Sequence, residues 1–303
     1  MSEQPGRLDV GLIGMGTVGP VIASALRSAG HRIAGVVAHT DGERERAEMM
    51  LPGVAIMDET EVIATSGLVI LAVPDGEIEP LVKGLADMGA WKMGQIVCHL
   101  AGPFGTGILS PAQVMGAIPV AIHPVMTFTG MSLDIPRLSG TPFAVSAPAP
   151  FLPIAQALVV EMGGEPIVVD EDSRPAVHAA LTLGTLGIVT AVIQSLAGLE
   201  RAGIEDPALF ASSLLAGTAE KALSEIERAL PAPIANGDTQ VIAEHVKALA
   251  GLSASDGDSD AAGDFADIYR ARAHQATDIL HRRGRLNDRA CDSIKAALME
   301  GGF

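Results

Sequence analysis

The 303-residue sequence predicts an α/β protein in two parts: an N-terminal doubly wound parallel sheet over residues 1–170, then an all-helical domain over residues 171–303. Three observations predict it. A short apolar strand, Leu8 to Ile13, runs into Gly14, Gly16 and Gly19 and then into a helix. Apolar runs of strand length alternate with helical stretches up to Asp170. Beyond Asp172-Ser173, a helix cap followed by Pro175, the pattern is helical nearly to the end.

The glycine loop is the most informative element. Val18, Val21, Ile22, Ala25, Leu26 and Ala29 recur at helical spacing after it, and Gly30 stops the helix. Gly14 permits the tight turn, Gly16 lets backbone approach a phosphate, and Gly19 lets the helix pack closely on the strand. Met15, Thr17 and Val18 complete a loop whose N–H groups and helix dipole face an anion. The pattern alone is weak in a chain with 34 glycines; its strand-to-helix setting is what points to a Rossmann dinucleotide site. The competing reading is an ordinary strand-to-helix turn.

Ile33 to Val37 reads as the second parallel strand. An NAD site usually places Asp or Glu at the end of that strand, about 20 residues past the glycines, to hold the ribose hydroxyls. Here Ala38, His39 and Thr40 stand there, followed by Arg44 and Arg46. Donors and positive charge suit a 2′-phosphate, so NADP(H) is favoured over NAD(H). Asp41 and Glu43 weigh the other way, and both arginines also fit solvated helix positions.

Val54 to Ile56 reads as a short third strand, and Leu68 to Val73 as a strand covered on both faces. The latter ends in Pro74-Asp75, so Val73, Pro74 and Asp75 join the expected cofactor side. Gln95–His99 and Ile118–Ile122 read as further strands, each ending in a loop, Ala101–Gly105 and His123–Thr127. Thr141–Val145 and Pro166–Asp170 are expected to close the sheet. Helices are expected at about 175–202, 206–229, 238–250 and 264–299. Ser253–Asp264, small and acidic, reads as a mobile surface loop.

With 48% hydrophobic residues and a mean hydropathy of +0.35, the chain can fill sizeable cores. A net charge of −16 excludes nucleic acid and an anionic membrane surface as partners of a broadly acidic face. Cys98 and Cys291 have neither disulfide-framework nor metal-ligand spacing, so no metal is expected. The start, Met1 to Arg7, lacks a signal pattern, so the expected location is cytoplasmic. Ala176 to Leu199 contains no charged residue and is long enough to span a bilayer. His178, Thr182, Thr185, Thr190, Gln194 and Ser195 favour a buried central helix instead, or one shared across a dimer.

Four motifs carry a resemblance: Leu71-Ala-Val-Pro-Asp75, His123-Pro-x-x-Thr-Phe128, Arg174-x-x-x-His178-Ala-Ala and Pro233-Ile-x-x-Gly-Asp238. From about residue 8 to 250 the chain resembles the bacterial Rossmann-like oxidoreductases with a helical C-terminal domain of unknown function. These lie within the superfamily of ketopantoate reductases, pyrroline-5-carboxylate reductases and 6-phosphogluconate dehydrogenases. The resemblance implies a two-electron reductase using NADP(H), with a small-molecule substrate between the halves and a homodimer through the helical domain. Ala101, Met126, Leu186, Ala232 and Asn236 stand where that family carries Ser, Gln, Asn, Gly and Arg.

A hydride reductase must supply a proton or hydrogen bond to the developing oxyanion or amine. Related dehydrogenases use a Lys on the first long helix of the second domain, but between Pro175 and Glu200 the only titratable side chain is His178. His178 and His123 are therefore the expected proton-handling pair, with Thr127, Asp238 and Asn236 as orienting groups. The competing reading makes both histidines structural. Reduction of a 2-oxo acid needs a cation for the carboxylate, and Arg174 and Arg137 are the candidates. Reduction of a cyclic imine needs less cationic help. The reading from another class is a nucleotide-binding regulatory or scaffold protein that has lost the chemistry.

Overall fold

The apolar run ahead of the glycines forms strand β1 (Asp9–Ile13), whose last four residues are all buried because the sheet is covered on both faces. In a computed structural model, which describes residues 6–225, 228–253 and 264–299, the chain forms two units, Met1–Thr182 and Leu183–Phe303. The first continues with α1 (Gly19–Ser28), β2 (Arg32–Val37), α2 (Asp41–Met50), α3 (Glu59–Thr65), β3 (Leu68–Leu71) and α4 (Ile78–Asp87). Then come β4 (Ile96–His99), α5 (Ser110–Val114), β5 (Ile118–Pro124), β6 (Pro142–Ser146), α6 (Leu152–Glu161), β7 (Glu165–Val168) and the first turns of α7 (Arg174–Arg201).

The strands form one seven-stranded sheet in the order β2-β1-β3-β4-β5-β6-β7. The chain leaves β1 toward β2 and returns to β3 on the other side, so the switch point of the doubly wound sheet lies between the carboxyl ends of β1 and β3. There Ile13 pairs with Leu71, which sets the glycine loop beside Ala72 and Val73. The sheet is parallel from β2 through β5, β6 pairs antiparallel with β5, and β7 is parallel to β6. Alternate residues feed two cores. Leu12, Ile70, Val120 and Phe143 pack with α1 and α6, whereas Ile13, Val69, Leu71 and Val97 pack with α3, α4 and Trp91.

Two expectations change in this unit. Val54–Ile56 is not a strand: it makes a single bridge, Val36 to Ile56, because Pro52-Gly53 and the Asp58 helix cap leave no length to extend it. The strand expected at Pro166–Asp170 begins earlier, at Glu165, and ends at Val168.

The second unit holds the rest of α7, then α8 (Pro207–Ser224), α9 (Ala232–Asn236), α10 (Thr239–Ser253), α11 (Phe265–Arg282) and α12 (Asp288–Met299). Ile234, Ile242, Val246, Leu280, Ile294 and Leu298 form its core. The helix expected over 264–299 is two helices. Gly284 takes a left-handed φ of 69°, with Arg285 N donating to Leu280 O, and Asn287 Oδ1 then caps α12 by accepting from Ala290 N. Most of the loop expected at Ser253–Asp264 lies outside the described residues.

The expectation of a buried central helix fails for the chain by itself. Of the 28 residues of α7 only Arg174 is buried. Leu183, Leu186, Ile188, Val189 and Ile193 are each more than half exposed. By length and composition alone the helix within Glu171–Arg201, whose most apolar 18 residues have a mean hydropathy of 1.9, also qualifies as a bilayer span.

Candidate functional site

The loop after β1 has the geometry a phosphate cradle requires. Gly14 has a φ of 104°, and a Cβ there would fall 2.6 Å from the Ala72 carbonyl carbon and oxygen, so only glycine fits. A Cβ on Gly19 would fall 2.7 Å from both Ala72 Cβ and the Gly14 oxygen, which is the close helix–strand packing expected. Gly16 differs: a Cβ would find its nearest atom at 4.0 Å, so the space over it is open. Val18, just before α1, provides no side-chain cap for the helix's first N–H groups. These features fit the pyrophosphate of a dinucleotide.

A groove of about 310 Å³ opens from this loop. It brings together Gly14, Met15, Gly16, His39, Val73 and Pro74 from the expected set. The remaining expected residues lie around it. Thr17 is exposed and faces the side of Gly130 where a Cβ would point, Thr40 caps α2, Arg44 is exposed with no side-chain partner among the described residues, and Asp75 is exposed beyond β3. A shallower hollow of about 400 Å³ between α3 and α4 shares Glu59 and Leu81 with the groove but none of the glycine loop.

The groove also takes in Glu43, Glu59 and Glu77, which the sequence reading missed as lining residues. Glu43 Oε2 accepts from the backbone N–H of His39 at 2.8 Å and of Thr40 at 2.9 Å. Those donors, Thr40 foremost, outweigh burial and hold the Glu43 carboxyl below its usual range. His39 Nε2 lies 3.0 Å from Glu59 Oε1. Arg46 donates to the Met15 carbonyl oxygen, so it braces the glycine loop. The capping pattern Thr40-x-x-Glu43 was visible in the sequence; Glu59 comes from a separate helix and carried no local signal.

At the carboxyl end of β5, His123 meets His178 of α7 edge to face, with ring centroids 5.7 Å apart. Both rings rest on Gly102, where a Cβ would fall 2.2 Å from His178 Cδ2 and 3.1 Å from His123 Cε1. His123 Nδ1 lies 3.2 Å from the Leu100 carbonyl oxygen, which only accepts, so Nδ1 carries the hydrogen and Nε2 of the neutral ring is an acceptor. Burial, with the charges of Arg174 and His178, pushes His123 below the usual imidazole value against the opposing effects of Leu100 and Asp75. Thr127 lies exposed in the following loop, its carbonyl accepting from Arg137 at 3.1 Å. Asp238, in the second unit, caps α10 by accepting from Val241 N at 3.2 Å.

Neither arginine expected to hold a carboxylate is free to do so. Arg174 is 1% exposed, and both its terminal nitrogens donate inside the first unit. Arg137 pairs with the buried Asp134 at 2.9 Å. Cys98 and Cys291 are free buried thiols, and burial pushes Cys98 up to about 12. Among the described residues no cluster of three or more His, Cys, Asp or Glu could hold a metal ion.

Residues 2–124 match the family of Rossmann-like domains, and residues 141–276 match DUF2520, a domain of unknown function. No curated protein matches the chain. Among solved structures, the fold is similar to that of a Bacteroides fragilis protein described as an NADP oxidoreductase, at 19% identity and a TM-score of 0.68, covering 90% of this chain and 98% of that one. It is also similar to an imine reductase from a Pseudomonas species, at 16% identity and a TM-score of 0.56, covering 97% and 93%. A reductive aminase from Aspergillus terreus, solved with NADPH and ethyl levulinate, is similar at 15% identity and a TM-score of 0.61, covering 96% and 99%. At these identities the likeness is one of fold.

Proposed function

We propose that this chain, which belongs to the proteins that pair a Rossmann-like domain with a DUF2520 domain, is a nicotinamide-dependent reductase of a small imine. The observation that carries the reading is the His123–His178 pair on Gly102, set at the carboxyl edge of a sheet whose switch point holds a glycine cradle. The bound dinucleotide would supply the hydride. The imine is favoured over a 2-oxo acid for two reasons. Arg174 and Arg137 are both engaged, so neither offers the cation a carboxylate needs. And His123, neutral with Nδ1–H committed to Leu100, presents an acceptor at Nε2. An acceptor orients the N–H of a protonated imine, which needs no further proton on reduction, whereas a ketone oxygen needs a donor. The fold shared with imine reductases supports the same choice.

The preference for NADP(H) drawn from Arg44 and Arg46 is revised. Glu43 already occupies the N–H groups of His39 and Thr40, Glu59 engages His39, and Arg46 is held by Met15. Two carboxylates at that end of the groove hold a free 2′-hydroxyl and repel a 2′-phosphate, so NAD(H) is the better match. Thr127 is retained as an orienting hydroxyl on the loop that follows His123, while Asp238 is assigned to capping. We also propose that a second copy of the chain covers α7, and that the two free thiols belong to a reducing, cytoplasmic setting.

The test is a fluorescence titration of the full chain with NADH and NADPH, repeated with Gly16→Leu. The site over Gly16 is open, so that variant keeps the fold and blocks the cradle. Micromolar binding lost in the variant, with NADH oxidised by cyclic imines and not by 2-oxo acids, is the expected result. No binding of either nucleotide overturns the reading. Binding without turnover on any imine or carbonyl favours the regulatory protein, and tighter NADPH binding reinstates Arg44 as the discriminating residue.

A further inference from the structure

Arg174 opens α7 and is 1% exposed, yet no described carboxylate lies within ion-pair distance of its guanidinium. Nη1 donates to Ser146 Oγ at 2.9 Å and Ala144 O at 3.4 Å, and Nη2 donates to Ala101 O at 3.1 Å. Nε is buried without a partner. A buried cation with no carboxylate in direct contact, and only the more distant charge of Glu171 in its favour, is costly to a fold, and an aliphatic chain of similar length would fill the space more cheaply. What the charge does achieve is visible in the turn it grips.

That turn is Leu100-Ala101-Gly102. Leu100 offers its carbonyl to His123, Gly102 seats His123 and His178, and Ala101 between them is held from both sides. The Ala101 N–H donates to His99 Nδ1 at 3.2 Å, and its carbonyl accepts from Arg174. His99 is itself fixed through Gly105 O at 3.0 Å, and burial drives it down to about 4, so it stays neutral. Arg174 and His178 are four residues apart on α7, one turn apart on one face.

We propose that Arg174 is a positioning residue for the His123–His178 pair: by gripping Ala101 it fixes the turn that seats both imidazoles. This rests on the reading of that pair as the reactive groups. Its charge has a second consequence. The groups that act on His123 are Arg174 and His178 from α7, the Leu100 carbonyl and Asp75 beyond β3, with His99 of β4 beside them and neutral; the two on α7 disfavour the imidazolium, and Leu100 and Asp75 favour it. Losing the Arg174 charge raises the pH at which His123 protonates.

The experiment follows the histidine ring Cε1–H resonances of the full chain through a pH titration, beside kcat and KM for imine reduction, in Arg174→Met, Arg174→Gln and Arg174→Lys. In the Met variant the His123 and His178 resonances shift, the His123 midpoint rises, and kcat falls about a hundredfold with dinucleotide affinity unchanged. Lys recovers part of the midpoint and little of kcat, because it lacks the guanidinium fork. Should the Met variant not fold, Gln keeps a donor for Ala101 without the charge, and the midpoint still rises. A folded Met or Gln variant with wild-type histidine shifts and midpoint overturns the proposal. If His123→Asn keeps full kcat, the reading of the pair as reactive groups fails while the resonance titration still reports on Arg174.

Discussion

Asp134 shows how much one side chain settles around the glycine loop. It is fully buried and accepts from Thr129 N at 2.6 Å, Thr129 Oγ1 and Gly130 N at 3.0 Å each, and Arg137 Nη1 at 2.9 Å. This staples the segment after β5, whose Gly130, at a φ of 78°, lies with its Cβ direction 3.2 Å from Thr17 Cα. Burial pushes the Asp134 carboxyl up, but Thr129, Gly130 and Arg137 outweigh it and hold it below its usual value. A depressed folded-state value means that the contribution to stability is complete above the unfolded value, about pH 4, and is lost as pH falls through the folded one. Asp134→Asn should therefore cost about 1–3 kcal/mol at neutral pH and flatten the loss of stability below about pH 4. Urea midpoints across pH check this; parallel acid limbs in both proteins would refute it. Legibility varied at this scale. The special roles of Gly14 and Gly19 were readable, because spacing after a strand dictates them. The burial of Arg174 was not, because its partners Ala101, Ala144 and Ser146 come from remote strands and loops.

At the scale of elements, the proposed choice between dinucleotides rests on how α2 starts. Thr40 accepts from Glu43 N, and the Glu43 side chain returns to the Thr40 N–H, a reciprocal cap. Thr40→Ala should cost about 1 kcal/mol in denaturant titration with little effect on which dinucleotide binds. Glu43→Gln weakens the cap as well and should shift the NADPH-to-NADH affinity ratio at least about tenfold toward NADPH, worth 1.4 kcal/mol or more. Equal ratios before and after would remove Glu43 as the discriminator. Helix positions were legible from caps and stops. Even the break between α11 and α12 was written in Gly284 and Asn287, but a continuous apolar period over 264–299 masked it. The third strand failed for the opposite reason: Val54 to Ile56 has strand composition but no length.

For the whole molecule, the open question α7 raises is what covers its apolar side chains. A helix without charges from Pro175 to Leu199, mostly exposed over residues 175–189 and half-buried beyond, needs a cover for its apolar side chains. On the proposed reading a second copy supplies it, which places none of His178, Thr182 and Gln194 in lipid. Sedimentation should show a dimer. Leu186→Glu, at a position 59% exposed in the single chain, should leave the fold intact and yield monomers. A monomeric wild type would refute the dimer, and partition of the wild-type chain into vesicles would favour the membrane reading instead.

The sequence by itself determined the sheet, the glycine cradle, the helical second half and the two histidines worth watching, because each is encoded by local spacing and by which residues can take a turn or a cap. Only the tertiary structure decided which carboxylates share the groove with His39, that Arg174 is buried beneath the histidine pair, and that α7 stays uncovered in one chain. Those depend on groups far apart in sequence meeting in space, and hydrophobic period and motif spacing carry no record of such meetings.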